Sequence, residues 1–324
     1  MYVHIPIIRD ILYGAAKRGV SLSEMCHKLE ISLDELNDSE KYLDFASAYK
    51  SWEIAMSATN DKSIGLHLGE TTNPSILGLI GHLMQSSATL ISAFQSVCQH
   101  GKVATDMFYY GWEETDKEFT LTFQPAEAWI KISEKSARQA VDQAMAGTLN
   151  VFKLLAGKNV FPIKACFQFS RPKEIREYER IFQSVLKFSS PKSELIFRHA
   201  DLDIPLISYD KSLQALFDQL LTERAKSFLN ANTFSNRVCS CLLEEFKTQI
   251  PPIEVVAARM NMTVRTFQRK LNAEGETYRR LSGRLRKDMA LKLMHNSNHK
   301  MDTIAEMLGY SEASAFRRAF KGWT

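Results

Sequence analysis

The sequence contains no stretch that approaches about 18 uninterrupted apolar residues, the length that a membrane-spanning helix needs. Its beginning, Met1-Tyr2-Val3-His4, lacks the basic start and long apolar run of a signal peptide. The five cysteines form an odd, scattered set, which favours reduced thiols over a disulfide framework. These absences predict a cytoplasmic protein without membrane contact.

Residue patterns typical of enzymes are also missing. The eight histidines are scattered, no Ser/His/Asp or Cys/His arrangement can be identified, and there is no phosphate-binding Gly-Lys-Ser/Thr signature. Cys239 and Cys241 stand two apart, which matches no zinc or redox spacing, and Asn-Ser-Asn between His295 and His299 disfavours a metal pair. We therefore predict no catalytic residues, no metal site and no cofactor.

Two similar segments occupy the last quarter of the chain. Equivalent positions hold similar residues at offsets of 48 and, after one insertion, 49: Ala257 and Ala305, Thr263 and Ser311, Phe267 and Phe316. In each segment the pattern predicts a short helix, a tight turn and a second helix. This is the helix-turn-helix plan, which we place at about residues 253–274 and 301–321.

The turn chemistry of each segment supports this plan. Asn261 and Gly309 are residue types that tolerate a left-handed backbone, so each can form the turn. Thr263 and Ser311 can cap the second helix, because a hydroxyl accepts a hydrogen bond from an unpaired backbone amide.

The outer face of each second helix carries side chains that can read bases. Arginine can donate two parallel hydrogen bonds to guanine, and glutamine can pair with adenine, in the major groove. A solvated basic face is the ordinary alternative, and it explains one copy more easily than two copies in register. The predicted base-contacting residues are Arg265, Gln268, Arg269, Ser314, Arg317 and Arg318.

Charge is distributed unevenly along the chain. From Ile253 onward there are 14 Lys and Arg against 7 Asp and Glu, whereas the first 252 residues hold 27 against 30. A basic C-terminal module can neutralise DNA phosphates, although each of its side chains could also be simply solvated. The predicted phosphate-contacting residues are Thr263, Lys270, Arg279, Arg286, Ser311 and Lys321.

The segment between the two copies has an apolar stripe at three- and four-residue steps: Tyr278, Leu281, Leu285, Met289 and Leu293. This spacing predicts one long helix of about 25 Å. Such a helix can hold two recognition helices roughly one DNA turn apart.

From about residue 234 to the end, the chain resembles the DNA-binding domain of AraC/XylS transcription regulators. The tandem segments, the run 286–294 and the stretch Ile304–Lys321 carry this resemblance. It implies promoter DNA and RNA polymerase as partners and a possible homodimer. Family members continue with a final helix containing Pro-x-x-Tyr-Arg, whereas this sequence stops at Gly322-Trp323-Thr324, so we expect weaker support for the second unit.

The N-terminal two-thirds predicts an α+β domain with a helical front and a small antiparallel sheet. The alternation in Phe119–Phe123 indicates a strand, and Ser21 and Ser32 can cap early helices. Further strands are predicted at about 163–169 and 195–197, and helices at about 134–156 and 176–182.

This region also has a family likeness. Segments including Gly78–Gly81, Phe161–Ile163 and Phe188–Pro191 resemble the arabinose-binding-like N-terminal domain of AraC-type regulators over about residues 5–210. The resemblance implies an effector domain whose ligands in the family include sugars, amino acids, fatty acids and proteins. Candidate effector-binding residues are Phe108, Tyr110, Trp112 and Trp129, with core or surface packing as the alternative.

Apolar periodicity lapses at Asn230–Thr233, so we place the boundary between a regulatory domain, 1–229, and a DNA-binding domain, 230–324, at that run. Before it, an apolar helical stripe over Leu213–Leu221 could form a dimer seam or pack on its own domain, and we favour packing.

Together these patterns predict a sequence-specific DNA-binding regulator, an activator, controlled by a small molecule in the N-terminal domain. Two alternatives remain. The N-terminal domain could instead bind a protein partner, or it could be an enzyme fused to a DNA-binding module.

Overall fold

The computed structural model describes residues 1–231, 234–245 and 250–296, together with Ala305, Phe316, Arg317 and Phe320. Its internal contacts divide the chain into two units, Met1–Ala225 and Lys226–Thr324. The first unit mixes helices with strands and the described part of the second is helical, which confirms the predicted fold class at this level. Each unit has its own apolar core.

Twelve α-helices begin within the first unit, all of whose residues the structure describes, and the last of them continues past its end at Ala225. Their bounds are α1 (Ile5–Ala16), α2 (Leu22–Lys28), α3 (Leu33–Asn37), α4 (Phe45–Thr59), α5 (Ile64–Gly69), α6 (Leu79–Gln85), α7 (Leu90–Ala104), α8 (Glu127–Ile132), α9 (Glu134–Ala156), α10 (Arg176–Phe182), α11 (His199–Leu202) and α12 (Lys211–Ala231), with a short 3-10 helix at Pro74–Leu77. The predicted helices at 134–156 and 176–182 are therefore confirmed as α9 and α10.

The predicted serine caps are present. Ser21 Oγ accepts the amide of Glu24 at 3.3 Å and so caps α2. Ser32 Oγ accepts the amide of Glu35 at 3.1 Å, and the Glu35 carboxylate accepts the amide of Ser32 at 2.8 Å. This reciprocal pair is a capping box, which satisfies two amides that α3 alone would leave unpaired.

Two sheets lie in the first unit. Strands β1 (Tyr2–His4) and β2 (Tyr42–Asp44) form an antiparallel pair. The larger sheet has the order β3-β4-β7-β5-β6, with bounds β3 (Phe108–Glu114), β4 (Glu118–Pro125), β5 (Lys164–Cys166), β6 (Val185–Lys187) and β7 (Ser193–Arg198).

The larger sheet departs from the expectation of a wholly antiparallel arrangement at one edge. Three of its pairings are antiparallel, but β5 and β6 run parallel. The chain between these strands contains α10, and such a helical crossover can return the chain to the end from which β5 began.

Sequence reasoning missed β3, although it is paired with β4 along its whole length. The strand does not show the alternation that a half-buried strand normally gives, because both Tyr109 and Trp112 are exposed. The sequence pattern also predicted one strand over residues 163–169, whereas β5 covers only Lys164–Cys166.

Helix α9 packs closely against α5 in the centre of the first unit. A Cβ atom added at Gly65 would lie 2.2 Å from the backbone oxygen of Gln139, and one at Gly69 would lie 2.6 Å from Cβ of Ala146. The missing side chains of these two glycines therefore let the helices approach more closely than other residues would allow.

The second unit contains α13 (Phe234–Glu245), α14 (Ile253–Arg259), α15 (Val264–Ala273) and α16 (Tyr278–Asn296). Phe267 lies at the centre of its core, with its ring 5.2 Å from that of Phe234 and 5.9 Å from that of Tyr278. Leu281 and Leu285 of α16 are buried in the same core, as the apolar stripe predicted. Along the described chain, no helix combines the length and apolarity needed to span a membrane.

Candidate nucleic-acid interface and ligand cavity

Helices α14 and α15 form the first of the two predicted helix-turn-helix units. Asn261 has a φ of 53°, the left-handed turn conformation that its residue type allowed. Across this turn the amide of Met262 donates to the carbonyl of Ala257 at 2.8 Å. Thr263 then caps α15, with its hydroxyl accepting the amide of Thr266 at 3.3 Å.

The two faces of α15 differ sharply. Phe267 and Leu271 are buried and fix the helix to the core. Arg265, Gln268 and Arg269 are all exposed. Gln268 and Arg269 follow Arg265 by three and four residues, so the three side chains lie on the same side of one short helix. The structure therefore brings together the predicted base-contacting residues of the first helix-turn-helix segment on an accessible helical surface.

A carboxylate holds this helix against its neighbour. Glu274, just after α15, accepts the backbone amides of Phe234 and Ser235 at 2.6 and 2.9 Å and the Ser235 hydroxyl at 2.6 Å. Burial opposes ionisation of Glu274, but the hydrogen bonds from Ser235 and Phe234 outweigh it and lower its pKa. Sequence reasoning missed this residue, because its partners lie 39 and 40 positions away.

The described phosphate-contact candidates occupy different settings. Thr263, Lys270 and Arg279 are exposed, and Arg286 is partly buried. The Lys270 ammonium lies 5.4 Å from the centre of the Phe234 ring, a cation–π distance. Along α16, a basic groove of about 430 Å³ is lined by Arg279, Arg280, Gly283, Arg284 and Lys287.

Only a few residues of the second predicted helix-turn-helix unit are described. Ala305 and Phe316 are buried, the Phe316 ring lies 5.7 Å from that of Phe320, and Arg317 is exposed. The other predicted contacts of this unit, Ser311, Ser314, Arg318 and Lys321, lie outside the described residues.

The first unit contains a cavity of about 120 Å³, called here the inner cavity. Among the predicted effector residues, Phe108, Tyr110 and Trp129 line it. Trp112 does not, because it lies further along β3, where its ring stacks on Phe119 at 5.6 Å and remains exposed.

Helix α9 provides a wall of the inner cavity that sequence reasoning missed. Its contribution is a set of mostly small residues at helical spacing: Ala140, Gln143, Ala144, Gly147, Thr148 and Val151. Small side chains on one helical face leave space where larger ones would fill it. That spacing was the signal available in the sequence.

The inner cavity adjoins an outer pocket of about 570 Å³. The two share five lining residues: Val97, Thr105, Met107, Phe108 and Tyr110. Burial raises the pKa of the Tyr110 phenol, so its hydroxyl stays protonated and able to donate a hydrogen bond. Phe108 and Tyr110 therefore form part of the partition between the two spaces.

Comparison with known proteins identifies both units. Residues 19–206, more than half of the chain, match the family described as the arabinose-binding domain of AraC transcription regulators, N-terminal. The chain belongs to the AraC family of transcription regulators. Residues 256–324 match the helix-turn-helix domain family, so the DNA-binding regulatory function predicted from the sequence is confirmed.

Individual relatives agree with this assignment. The chain is 24% identical to the ornithine utilization regulator of Pseudomonas aeruginosa over 99% of its own length and 94% of that protein. It is 30% identical to the transcriptional activator RhaS of Salmonella schwarzengrund over 44% of its own length and 52% of that protein. The family and these relatives are regulators, not enzymes, which confirms the prediction that this AraC-family chain is not an enzyme.

A solved structure also resembles the chain. It is the transcriptional regulator CdpR from Pseudomonas aeruginosa, with 22% identity, a TM-score of 0.43 and 93% of each chain covered.

Proposed function

We propose that this AraC-family regulator reads promoter DNA with α15 in the major groove. Arg265, Gln268 and Arg269 contact base edges in this proposal. This proposal rests on the amphipathic character of α15. Phe267 and Leu271 are buried on its inner face, whereas the three polar side chains are exposed on its outer face. A rigidly held helix with exposed bidentate donors suits base recognition.

The second helix-turn-helix unit reads a neighbouring major groove in the same proposal. Arg317, which is exposed, contacts bases together with Ser314 and Arg318, and Ser311 and Lys321 contact phosphates. Matching residue types at matching positions of the two sequence segments support this assignment.

Phosphate binding is assigned to the flanks of α15 and to α16. Thr263 and Lys270 lie at the two ends of α15, and Arg279 and Arg286 lie on α16. The basic groove supports this role, because it places several cationic side chains along one stretch of helix surface. Such contacts supply affinity that is independent of sequence and falls as salt rises.

We assign control to a small molecule in the inner cavity. A ligand shifts the regulator only if it binds one arrangement of the protein better than the other. Control by a protein partner is the competing possibility. A concave, mainly apolar space within the first unit favours a small molecule, because such ligands bind in apolar clefts and cavities, whereas protein partners bind larger surfaces.

Cellular location, oligomeric state and the sign of regulation complete the proposed function. The regulator acts in the cytoplasm as a homodimer and activates transcription by contacting RNA polymerase. The activator RhaS among the relatives supports the sign of regulation. The homodimer is supported by α12, where Leu221 is buried and Phe217 packs on the core, but Leu213, Leu216 and Leu220 are exposed at three- and four-residue steps.

Selection of binding sites from random-sequence DNA by the full chain tests this function. We expect one enriched motif, with gel-shift affinity for it well above that for shuffled DNA. A promoter carrying this motif should then respond to the protein in a purified transcription reaction containing RNA polymerase. Equal affinity for all sequences would contradict the proposal.

A further inference from the structure

The lining of the inner cavity limits the chemistry of its ligand. The cavity lies within the fully described first unit, and none of its lining residues is an aspartate, glutamate, lysine, arginine or histidine. A charged ligand would lose its hydration on entry and find no opposite charge, which costs several kcal/mol. A zwitterionic amino acid or a carboxylate therefore fits this cavity poorly.

Four of the six hydroxyl and indole donors of the lining are engaged within the protein. The hydroxyls of Thr72, Thr105 and Thr148 donate to backbone carbonyls at 3.2, 2.9 and 2.8 Å. The indole of Trp129 donates to Ser136 Oγ at 2.7 Å. A sugar, which needs partners for a hydroxyl on nearly every carbon, would leave most of them unsatisfied.

Three polar groups of the lining remain for a ligand, the first being the indole N–H of Trp52, which makes no hydrogen bond within the described chain. Within the described chain the Tyr110 hydroxyl makes no hydrogen bond, although its ring packs on Phe94 and Phe123. Gln143 donates through Nε2 to Asp10 at 2.9 Å, which leaves its Oε1 as an acceptor. The cavity thus offers one indole N–H, one hydroxyl and one amide oxygen in an otherwise apolar surface.

The size of the inner cavity sets the size of the ligand. Its volume of about 120 Å³ is similar to that of engineered apolar cavities of about 150 Å³ that bind benzene. The cavity therefore accommodates about one six-membered ring with at most a very small substituent. Phe108, Tyr110 and Trp129 supply aromatic surface for such a ring to pack against.

We propose that the inner cavity binds a neutral, mainly apolar molecule of about six to eight non-hydrogen atoms with a single hydroxyl, of which phenol is the simplest example. This inference rests on the proposed effector control and specifies its ligand class. It departs from what the names of the domain and the ornithine-related relative suggest, since sugars and amino acids do not match the lining.

Titration calorimetry on the full chain with phenol, benzene, L-arabinose and L-ornithine tests this inference. We expect saturable binding of phenol and benzene at or below about 1 mM, and none of the sugar or the amino acid. Tyr110→Phe should weaken phenol binding about three- to tenfold and leave benzene binding unchanged, because it removes one hydrogen bond. Tyr109→Phe is the matched control, since Tyr109 is exposed and does not line the inner cavity.

A second variant locates the site. Ala144 lines the cavity, so Ala144→Leu should fill part of it and abolish binding of both aromatic ligands. Unchanged phenol binding by folded Ala144→Leu protein, or binding of arabinose or ornithine in place of phenol, would overturn the inference. Gel shifts with the selected DNA motif run in parallel: loss of ligand binding with intact DNA binding contradicts only the ligand class, whereas loss of specific DNA binding contradicts the proposed function.

Discussion

The backbone amide of Phe234 lies 2.6 Å from a carboxylate oxygen of Glu274, so the residue after α15 holds the start of α13. Phe234 packs in turn against Phe267, the buried anchor of α15. Helix α15 is thus tied to its neighbour at two points, one polar and one apolar.

Replacing Glu274 should loosen this connection. We expect Glu274→Ala to reduce the stability of the second unit by about 0.5–1 kcal/mol, because two backbone amides and a hydroxyl lose their acceptor at a solvent-exposed site. Hydrogen-exchange mass spectrometry on the full chain should show faster exchange in α13 and α15. Glu274→Gln, which keeps one acceptor oxygen, should have a smaller effect. Faster exchange confined to the first unit would contradict this role.

The pKa of Glu274 adds a pH dependence of known sign. The pKa of Glu274 is lower in the folded state than in the unfolded chain. The stability that ionised Glu274 contributes is therefore present above the unfolded-state pKa and is lost as the pH falls through the folded-state pKa. The exchange difference between wild type and Glu274→Ala should therefore shrink on acidification.

Arg269 and Lys270 should differ in how their loss changes DNA binding. We expect Arg269→Ala to cost about 1–3 kcal/mol on the selected motif and to relax the preference at one base position. Lys270→Ala should weaken all sequences alike and reduce the salt slope by about 1. Gel-shift titrations at several salt concentrations distinguish the two. Unchanged binding after Arg269→Ala would remove its assigned role, and Lys270→Arg serves as the charge-conserving control.

The exposed stripe on α12 should determine the oligomeric state. Leu216→Glu places a charge between Leu213 and Leu220 and should convert the proposed homodimer to a monomer, because an unpaired charge is costly in an apolar interface. Light scattering after size-exclusion chromatography measures the mass. Ala215→Glu adds the same charge at an exposed position off the stripe and should leave the dimer intact. A wild-type mass of one chain at all concentrations would exclude this interface.

Asp142 should make the first unit less stable as pH rises. Burial raises its pKa to about 7, although the hydrogen bond from Tyr178 at 2.6 Å and the nearby Arg138 act in the opposite direction. The folded state therefore binds the proton more tightly than the unfolded chain. The stability that protonated Asp142 contributes is greatest below its unfolded-state pKa of about 4 and is lost as the pH rises through about 7.

Urea unfolding at pH 5 and pH 8 measures this effect. Asp142→Asn should flatten the pH dependence by about 2–4 kcal/mol, while Asp116→Asn, at an exposed position, should leave it unchanged. A parallel pH profile for wild type and Asp142→Asn would show that this carboxyl keeps an ordinary pKa.

Gly65 should tolerate no side chain, because an added Cβ would lie 2.2 Å from the Gln139 carbonyl oxygen. We expect Gly65→Ala to destabilise the first unit by about 2 kcal/mol or more, since α5 and α9 must move apart. At Gly101 an added Cβ would lie 3.5 Å from the Tyr110 ring, an ordinary contact. Gly101→Ala should therefore stabilise α7 by up to about 1 kcal/mol. Thermal unfolding compares the two variants, and similar melting temperatures would refute the close-approach argument.

Prediction from sequence succeeded where local chemistry decides the outcome. Thr263 caps α15 because its hydroxyl bonds to a backbone amide only a few residues away. Asn261 adopts the left-handed turn because asparagine tolerates that backbone conformation. Helix α9 was located correctly for the same reason, since its apolar spacing continues over many turns.

Prediction from sequence failed where segments that are distant along the chain pack together. β3 lacks a clear alternating pattern and is defined by its pairing with β4. The parallel pairing of β5 and β6 depends on the crossover through α10. Likewise, the pairing of Glu274 with Phe234 and Ser235 joins residues about forty positions apart, for which no spacing rule exists.

By itself, the sequence determined the helix-turn-helix plan and its polar outer face, because residue types at fixed helical spacing specify both, and its resemblance to AraC/XylS regulators indicated the family. The tertiary structure alone decided which aromatic residues line the inner cavity, why Trp112 is not one of them, and that burial raises the pKa of Asp142 to about 7. A cavity wall and a shifted pKa are properties of surroundings assembled from many parts of the chain, so no local pattern records them.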